Sequence, residues 1–303
     1  MTEVPTMRPL IFGEVLFDHF PDGTTVLGGA PFNVAWHLHA FGLKPLMISR
    51  VGNDERGRLV KAAMQNWGMD LSGLQTDAVH PTGTVQVQFI EGEPSYEIVD
   101  KVAYDFIQAD ELPALNGPWL LYHGSLALRH EASATTLSAL KKNRESPIFV
   151  DINLRRPWWN KDQVLSLIDG ASWIKLNTAE LGEIYPQTVD QEERVQNLAK
   201  LVSQQIILTG GEHGATALST TNNNRVSVVP ETTSPIIDTV GAGDSFCSIL
   251  LAGQLLGWPL EVTMKRAQAF ASAIVGIRGA TTQDLDFYRH FTRDWGLKDI
   301  ADV

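Results

Sequence analysis

The sequence predicts an α/β protein, a mostly parallel sheet covered by helices with a smaller, separate β-sheet set beside it as a lid. Three observations carry this expectation. Short apolar runs alternate with amphipathic stretches of helical period over most of the chain, the rhythm of parallel strands joined by crossover helices. The rhythm breaks over Thr82 to Ile90, where Thr84, Val85, Gln86, Val87, Gln88 and Phe89 alternate apolar with polar, as in a strand with one wet face. The length of 303 residues, with 44% hydrophobic and 19% charged content, suffices for one sizeable core and a modest appendage. Residues 1–303 therefore read as a single domain, with lid elements within about 17–28 and 82–106.

The strands and helices follow in order. Pro9 to Phe17 reads as a buried first strand, interrupted near its end by Gly13 and Glu14, and Asp18 follows it directly. An acid at the carboxyl end of a strand in an open α/β sheet is placed to accept hydrogen bonds from a ligand; a solvated loop acid is the alternative. Pro21-Asp22-Gly23 is turn chemistry between two short runs, a small hairpin. Gly28 and Gly29 lead to Pro31 and a helix that Gly42 stops. Asn33, one turn in, can donate and accept toward vicinal hydroxyls or can act as a cap. His37 and His39 read as ordinary helix residues. Leu46 to Val51 is the second core strand, and a helix runs from Glu55 to Trp67. After Thr82 to Ile90, a Gly92-Glu93-Pro94 turn leads to Tyr96, Ile98 and Val99 as an antiparallel partner; an edge extension of the main sheet is the competing arrangement.

Trp119 to His123 resumes the core, Glu131 to Asn143 is a helix, and Pro147 to Val150 delivers Asp151-Ile152-Asn153-Leu154-Arg155 to the ligand edge. An acid, an amide and a forked guanidinium within five residues can hold hydroxyls and phosphate oxygens together, although an internal ion pair would also account for Asp151 and Arg155. Trp158 and Trp159 read as packing residues. After the Trp173 to Leu176 strand, Asn177 and Glu180 have the spacing of a capping box. Gln205 to Leu208 runs into Thr209-Gly210-Gly211-Glu212-His213-Gly214, a turn that a nucleotide can approach closely. Leu260 to Val275 is a long amphipathic helix, and 276–282 a glycine-containing loop.

Composition removes several function classes. Lys plus Arg number 24 against 35 Asp plus Glu, a net charge of -11 that opposes binding to nucleic acid or an anionic membrane. Cys247 is the only cysteine, so no intramolecular disulfide can form, and no Cys/His cluster has zinc spacing. The N-terminal stretch lacks the pattern of a secretion signal, and no apolar run approaches the ~18 residues of a membrane span. A cytoplasmic setting is expected.

The most informative stretch is Asp238-Thr239-Val240-Gly241-Ala242-Gly243-Asp244-Ser245-Phe246. Three small residues open onto an apolar run at helical spacing, so unpaired N–H groups at a helix N-terminus face the surface with no side chain in the way, which is an anion site. Asp244 either complements the helix dipole or accepts a proton from an attacking hydroxyl. This stretch resembles the C-terminal signature of the PfkB, or ribokinase-like, family of carbohydrate kinases. Gly28-Gly29-Ala30-Pro31-Phe32-Asn33-Val34-Ala35, with Gly42 and Gly52 after it, resembles the family's N-terminal signature. Ile249 departs from the pattern, standing where the family generally has a small residue.

The resemblance implies a three-layer α/β/α core with a β-sheet lid that covers the sugar and makes a homodimer contact. It implies transfer of a phosphoryl group from ATP to a small sugar, with Asp244 as base and Gly241, Ala242 and Gly243 as the anion hole. Asp18, Gly28, Gly29, Asn33, Asn153 and Arg155 are then expected at the sugar, and Asn177, Thr209, Gly211 and Gly214 at the nucleotide. Glu180 would meet Mg²⁺ through water, and Asp238, Val240 and Gly279 would enclose a monovalent cation, usually potassium. Gly28-Gly29-Ala30-Pro31, His123-Gly124-Ser125 and Asp151 to Trp158 together look most like fructokinases, with ketodeoxygluconate, ribose or a nucleoside as other acceptors. A dinucleotide dehydrogenase is excluded, since too little chain follows Gly241 for a βαβ unit and its ribose-binding acid. A catalytically silent sugar-binding regulatory protein on the same fold is the rival of another class.

Overall fold

In a computed structural model, residues 7–90, 93–142, 146–230 and 236–297 are described. Among the described residues, nine strands form the main sheet in the order β13-β12-β11-β10-β9-β8-β1-β4-β5. In chain terms these are β1 (Arg8–Phe12), β4 (Leu46–Gly52), β5 (Leu74–Asp77), β8 (Trp119–His123), β9 (Ile148–Asp151), β10 (Trp173–Asn177), β11 (Gln205–Thr209), β12 (Ala215–Ser219) and β13 (Arg225–Val228). All neighbours are parallel from β5 to β11, and β12 and β13 are added antiparallel at one edge. A second sheet of four strands contains β2 (Leu16–His19), β3 (Thr25–Gly28), β6 (Gly83–Ile90) and β7 (Glu93–Ile98), in the order β3-β2-β6-β7.

Successive strand side chains point to opposite faces, and the two resulting cores make the layers. Ile11, Tyr122, Phe149 and Ile207 face one core with α1 (Ala30–Ala40), α2 (Glu55–Asn66), α7 (Ala242–Leu256), α8 (Leu260–Ile274) and α9 (Leu285–Trp295). Leu10, Phe12, Leu121, Val150 and Ile206 face the other, with α3 (Glu131–Lys141), α4 (Lys161–Ile168), α5 (Thr178–Ile184) and α6 (Gln191–Ala199). Ile249 is fully buried in the first of these cores, so the departure from the family pattern is absorbed as packing. No helix among the described residues is long and apolar enough to cross a membrane.

Two expectations need correction. Pro9 to Phe17 is not one strand: the chain leaves the main sheet after Phe12, turns at Gly13 with φ +150°, and enters the small sheet at Leu16. Val15, Leu16 and Phe17 are buried like Leu10 to Phe12, so the apolar run continues across the switch and periodicity cannot detect it. The turn placed over Gly92-Glu93-Pro94 is also shifted, because Glu93 and Pro94 already pair with Ile90 and Phe89 in β7; Gly92 lies outside the described residues. The hairpin at Pro21 is present as β2 antiparallel to β3, and it joins β6 through a parallel pairing of β2, which makes the small sheet separate from the main one.

Candidate active site

The sequence cluster that opens α7 is shaped by its first glycine. Gly241 is the N-cap at φ +79°, in the left-handed region, and a Cβ there would stand 2.5 Å from Ala280 Cα. Only glycine tolerates both. Ala242, Gly243 and Asp244 form the first turn; Ala242 N–H reaches Thr239 O at 3.4 Å, and Ser245 N–H closes the first full helical bond onto Gly241 O at 2.8 Å. Among the described residues, the N–H groups of Gly243 and Asp244 have no acceptor.

Asn33 Nδ2, from the first turn of α1, donates to Asp244 Oδ2 at 2.7 Å across a separation of 211 residues. The two glycine-rich stretches thus share one site. Burial raises the Asp244 pKa, and the Asp151 charge adds to that; the Asn33 hydrogen bond, Lys175 and Arg155 oppose it. A carboxylate moved upward is a better proton acceptor near neutral pH. Gly28 leaves open the space between Asp18 and Asn33, where a Cβ would lie 3.7 Å from Asp18 Oδ2 and 3.8 Å from Asn33 Oδ1. Gly29 has a different reason: at φ +112° its absent Cβ would lie 2.7 Å from Glu14 O, so the backbone itself requires glycine.

Asp18 sits on β2 of the small sheet and not, as its position after the first apolar run implied, at the end of a main-sheet strand. Burial pushes it up to about 6, against the pull of Arg155. The acid that does follow the end of β1 is Glu14, which sequence reading passed over as an interruption. It is 4% exposed, and burial raises its pKa to about 7, with Asp244 adding to the rise and Arg155 and Arg129 opposing it. Arg155 is exposed, and its charge bears on Glu14, Asp18 and Asp244 alike. Asn153 stands beside it, with its carbonyl accepting from Ser125 Oγ at 3.0 Å.

Asp151 and Arg155 do not pair. Asp151 instead accepts from Lys175 Nζ at 2.7 Å and from Tyr122 OH at 3.2 Å. Lys175 was missed; the available signal was one lysine inside the apolar strand Trp173 to Leu176. The guanidinium of Arg129, also missed, is held by Asp105 at 2.7 and 2.8 Å and lies over Trp158 at 4.5 Å, which gives Trp158 a packing role. Tyr104 is buried beneath the small sheet, while Tyr96 is exposed.

Of the residues expected at the nucleotide, Asn177 and Thr209 are register partners on β10 and β11, so their side chains leave the sheet edge together. Asn177 and Glu180 complete a reciprocal capping box, Glu180 N–H donating to Asn177 Oδ1 and Asn177 N–H to Glu180 Oε2, both at 2.8 Å. Glu180 Oε1 accepts from Leu154 N–H at 3.0 Å. Both carboxylate oxygens are therefore engaged with backbone, and each keeps a lone pair for a further partner. Gly211 has open space at its Cβ position, whereas at Gly214, with φ +82°, a Cβ would collide with Val228 O. A cavity of about 190 Å³ opens beside this turn, with Thr178, Gly210 and Gly214 at its rim and Val195, Ile206 and Leu208 in its wall. It shares no residue with the cluster around Asp244.

The expected cation residues also converge. Asp238 Oδ1 accepts from Val240 N–H and Oδ2 from Gly279 N–H, each at 3.0 Å. This loop is anchored by His37, which donates from Nε2 to Ala280 O at 3.0 Å and so accepts from Tyr288 OH at Nδ1, 2.9 Å away. Burial holds the His37 pKa down at about 3, so the ring is neutral.

Residues 10–286 match the family described as pfkB family carbohydrate kinase. A fructokinase of Klebsiella pneumoniae is 31% identical over 264 residues, covering 80% of this chain and 83% of the relative. Among solved structures, a fructokinase of Vibrio cholerae O395 in a fructose-, ADP- and calcium-bound form superposes with a TM-score of 0.80 at 26% identity, covering 93% and 98% of the two chains. A sugar kinase of Pyrococcus horikoshii in complex with ATP gives 0.76 at 25% identity, covering 97% and 96%.

Proposed function

The chain belongs to the pfkB family of carbohydrate kinases, and from that premise we propose that it transfers the γ-phosphoryl group of ATP to a primary hydroxyl of a small sugar, fructose first among the acceptors. The observation that carries this reading is the 2.7 Å bond from Asn33 to Asp244, which sets a hydroxyl-binding amide against a base at an anion-binding helix terminus.

Asp18, Gly28, Asn33 and Asn153 orient the sugar so that one hydroxyl meets Asp244, which takes its proton as the oxygen attacks phosphorus. Asn33 fixes the rotation of the carboxylate and leaves its second oxygen for that proton. The N–H groups from Gly241 to Asp244, with Ala242 and Gly243 adding no bulk, hold the phosphoryl oxygens as charge moves onto them. Arg155 balances the charge among the carboxylates and the incoming phosphate. Asn177, Thr209, Gly211 and Gly214 border the nucleotide, and Glu180 would hold Mg²⁺ through water. A divalent ion so placed neutralises phosphate charge. Asp238, Val240 and Gly279 suit a potassium ion beside the hole. The small sheet closes over the sugar and excludes water. Its exposed Val26 and Tyr96 share the face that carries Asp18 and Val85, which fits a contact with a second copy.

Fructose leads because relatives of this chain are fructokinases. Ketodeoxygluconate, ribose and nucleosides are the competing acceptors, and a silent sugar-binding protein is the competing class. A coupled ADP-release assay with Mg-ATP against fructose, ribose, ketodeoxygluconate, glucose and adenosine, with and without potassium, separates them. Turnover highest on fructose is expected. Preference for another acceptor replaces fructose, and sugar binding without turnover on any acceptor favours the silent protein.

A further inference from the structure

We infer that Lys175 is an electrostatic positioning residue for the transferring phosphoryl group, held beneath the first turn of α7 by Asp151. The inference rests on the phosphotransfer reading above.

Lys175 lies in β10 between Ile174 and Leu176, both fully buried, and is itself 8% exposed. Its register partners are Asp151 on β9 and Ile207 on β11, so ammonium and carboxylate are cross-strand neighbours on the sheet face that packs against α7. Nζ is 2.7 Å from Asp151 Oδ1, and Tyr122 OH steadies the other carboxylate oxygen at 3.2 Å. A Cβ added to Gly243 would stand 3.4 Å from Nζ. The ammonium therefore lies against Gly243, whose N–H group has no acceptor among the described residues.

Stability does not account for a cation there. Removing two charges from water is costly even when they pair, and a helix N-terminus disfavours positive charge. An apolar side chain would fill the strand as its neighbours do. The two terms that penalise Lys175 in the fold are the terms that would help a reaction, because helix dipole and ammonium add their positive potential at the surface of Gly243, where a phosphoryl group brings negative charge. Burial pulls the Lys175 pKa down, but the Asp151 carboxylate beside it outweighs that and holds it above the ordinary lysine range, so the charge persists. On Asp244 the neighbouring pair acts with opposite signs, Asp151 raising and Lys175 lowering its pKa.

The test is the double variant Lys175→Met/Asp151→Asn. Lys175→Met alone leaves a buried, unpaired carboxylate and could simply unfold, whereas neutralising both partners at similar volume is commonly tolerated. A pair with only a structural role predicts that the double variant regains melting temperature and turnover together. The inference predicts that the melting temperature returns while kcat stays down by about tenfold or more, short of the 10²–10³ of a direct donor, with the sugar KM unchanged. A second readout needs no acceptor: calorimetry of Mg-ATP and Mg-ADP binding should show the ATP preference of the wild type reduced and ADP affinity kept. A double variant with wild-type kcat and ATP preference overturns the inference. If the wild type phosphorylates no sugar but binds Mg-ATP, the acceptor reading fails and the nucleotide comparison still decides Lys175; absence of Mg-ATP binding overturns both.

Discussion

Glu14 shows how a single buried acid ties the cleft to pH. Its pKa is about 7 in the fold against an ordinary 4.5, so the folded protein holds a proton there that the unfolded chain releases between those values. The contribution to stability is full below pH 4.5 and is lost as pH rises through about 7, a change of at most about 3 kcal/mol. Asp18, raised to about 6, adds a fall of the same sign at lower pH, so Glu14→Gln should reduce the slope and remove most of it between about pH 6 and 7, which denaturant titrations of both proteins at several pH values will measure; an unchanged slope there assigns it to other groups. Asp244 and Asn33 were legible in sequence because each stands inside a short motif whose neighbours announce a helix entrance. Glu14 and Lys175 were not, because a lone charge inside an apolar run looks like a strand end or a break until the strands beside it are known. Asp18 was legible as a cleft residue but was assigned to the wrong sheet.

At the scale of elements, the α7 entrance depends on one glycine. Gly241→Ala forces a left-handed residue to carry a Cβ, at a cost of roughly 1–2 kcal/mol, and drives that Cβ into Ala280. Ala280 cannot retreat freely, since its carbonyl is held by the neutral His37. The expected result is a folded protein with a modestly lower melting temperature and a far larger loss of kcat, because the N–H groups after Gly241 lose their aim. A melting temperature and kcat that fall in proportion would instead point to a general loss of structure. The helices and most strands could be read from period and turn residues, and the small sheet's alternation at Val85 and Val87 was clear. The sheet switch at Gly13 was not, since both sheets bury the strand that enters them.

For the molecule as a whole, the alternation of strands and helices was enough to predict the mostly parallel α/β core, and the one break in that alternation marked the small separate sheet. The relative placing of the parts was not available from pattern: that Asp151 faces Lys175, or that Arg129 is clamped by Asp105, depends on strand register and on contacts between distant segments. If the chain moves a phosphoryl group to a sugar with Asp244 as the base, single-turnover formation of sugar phosphate from Mg-ATP and fructose by wild type and Asp244→Asn, with fructose binding followed in parallel, will show it most directly. A base at Asp244 means a loss of about 10²–10⁴-fold in the transfer rate with fructose still bound. Transfer at an undiminished rate in the variant would contradict it.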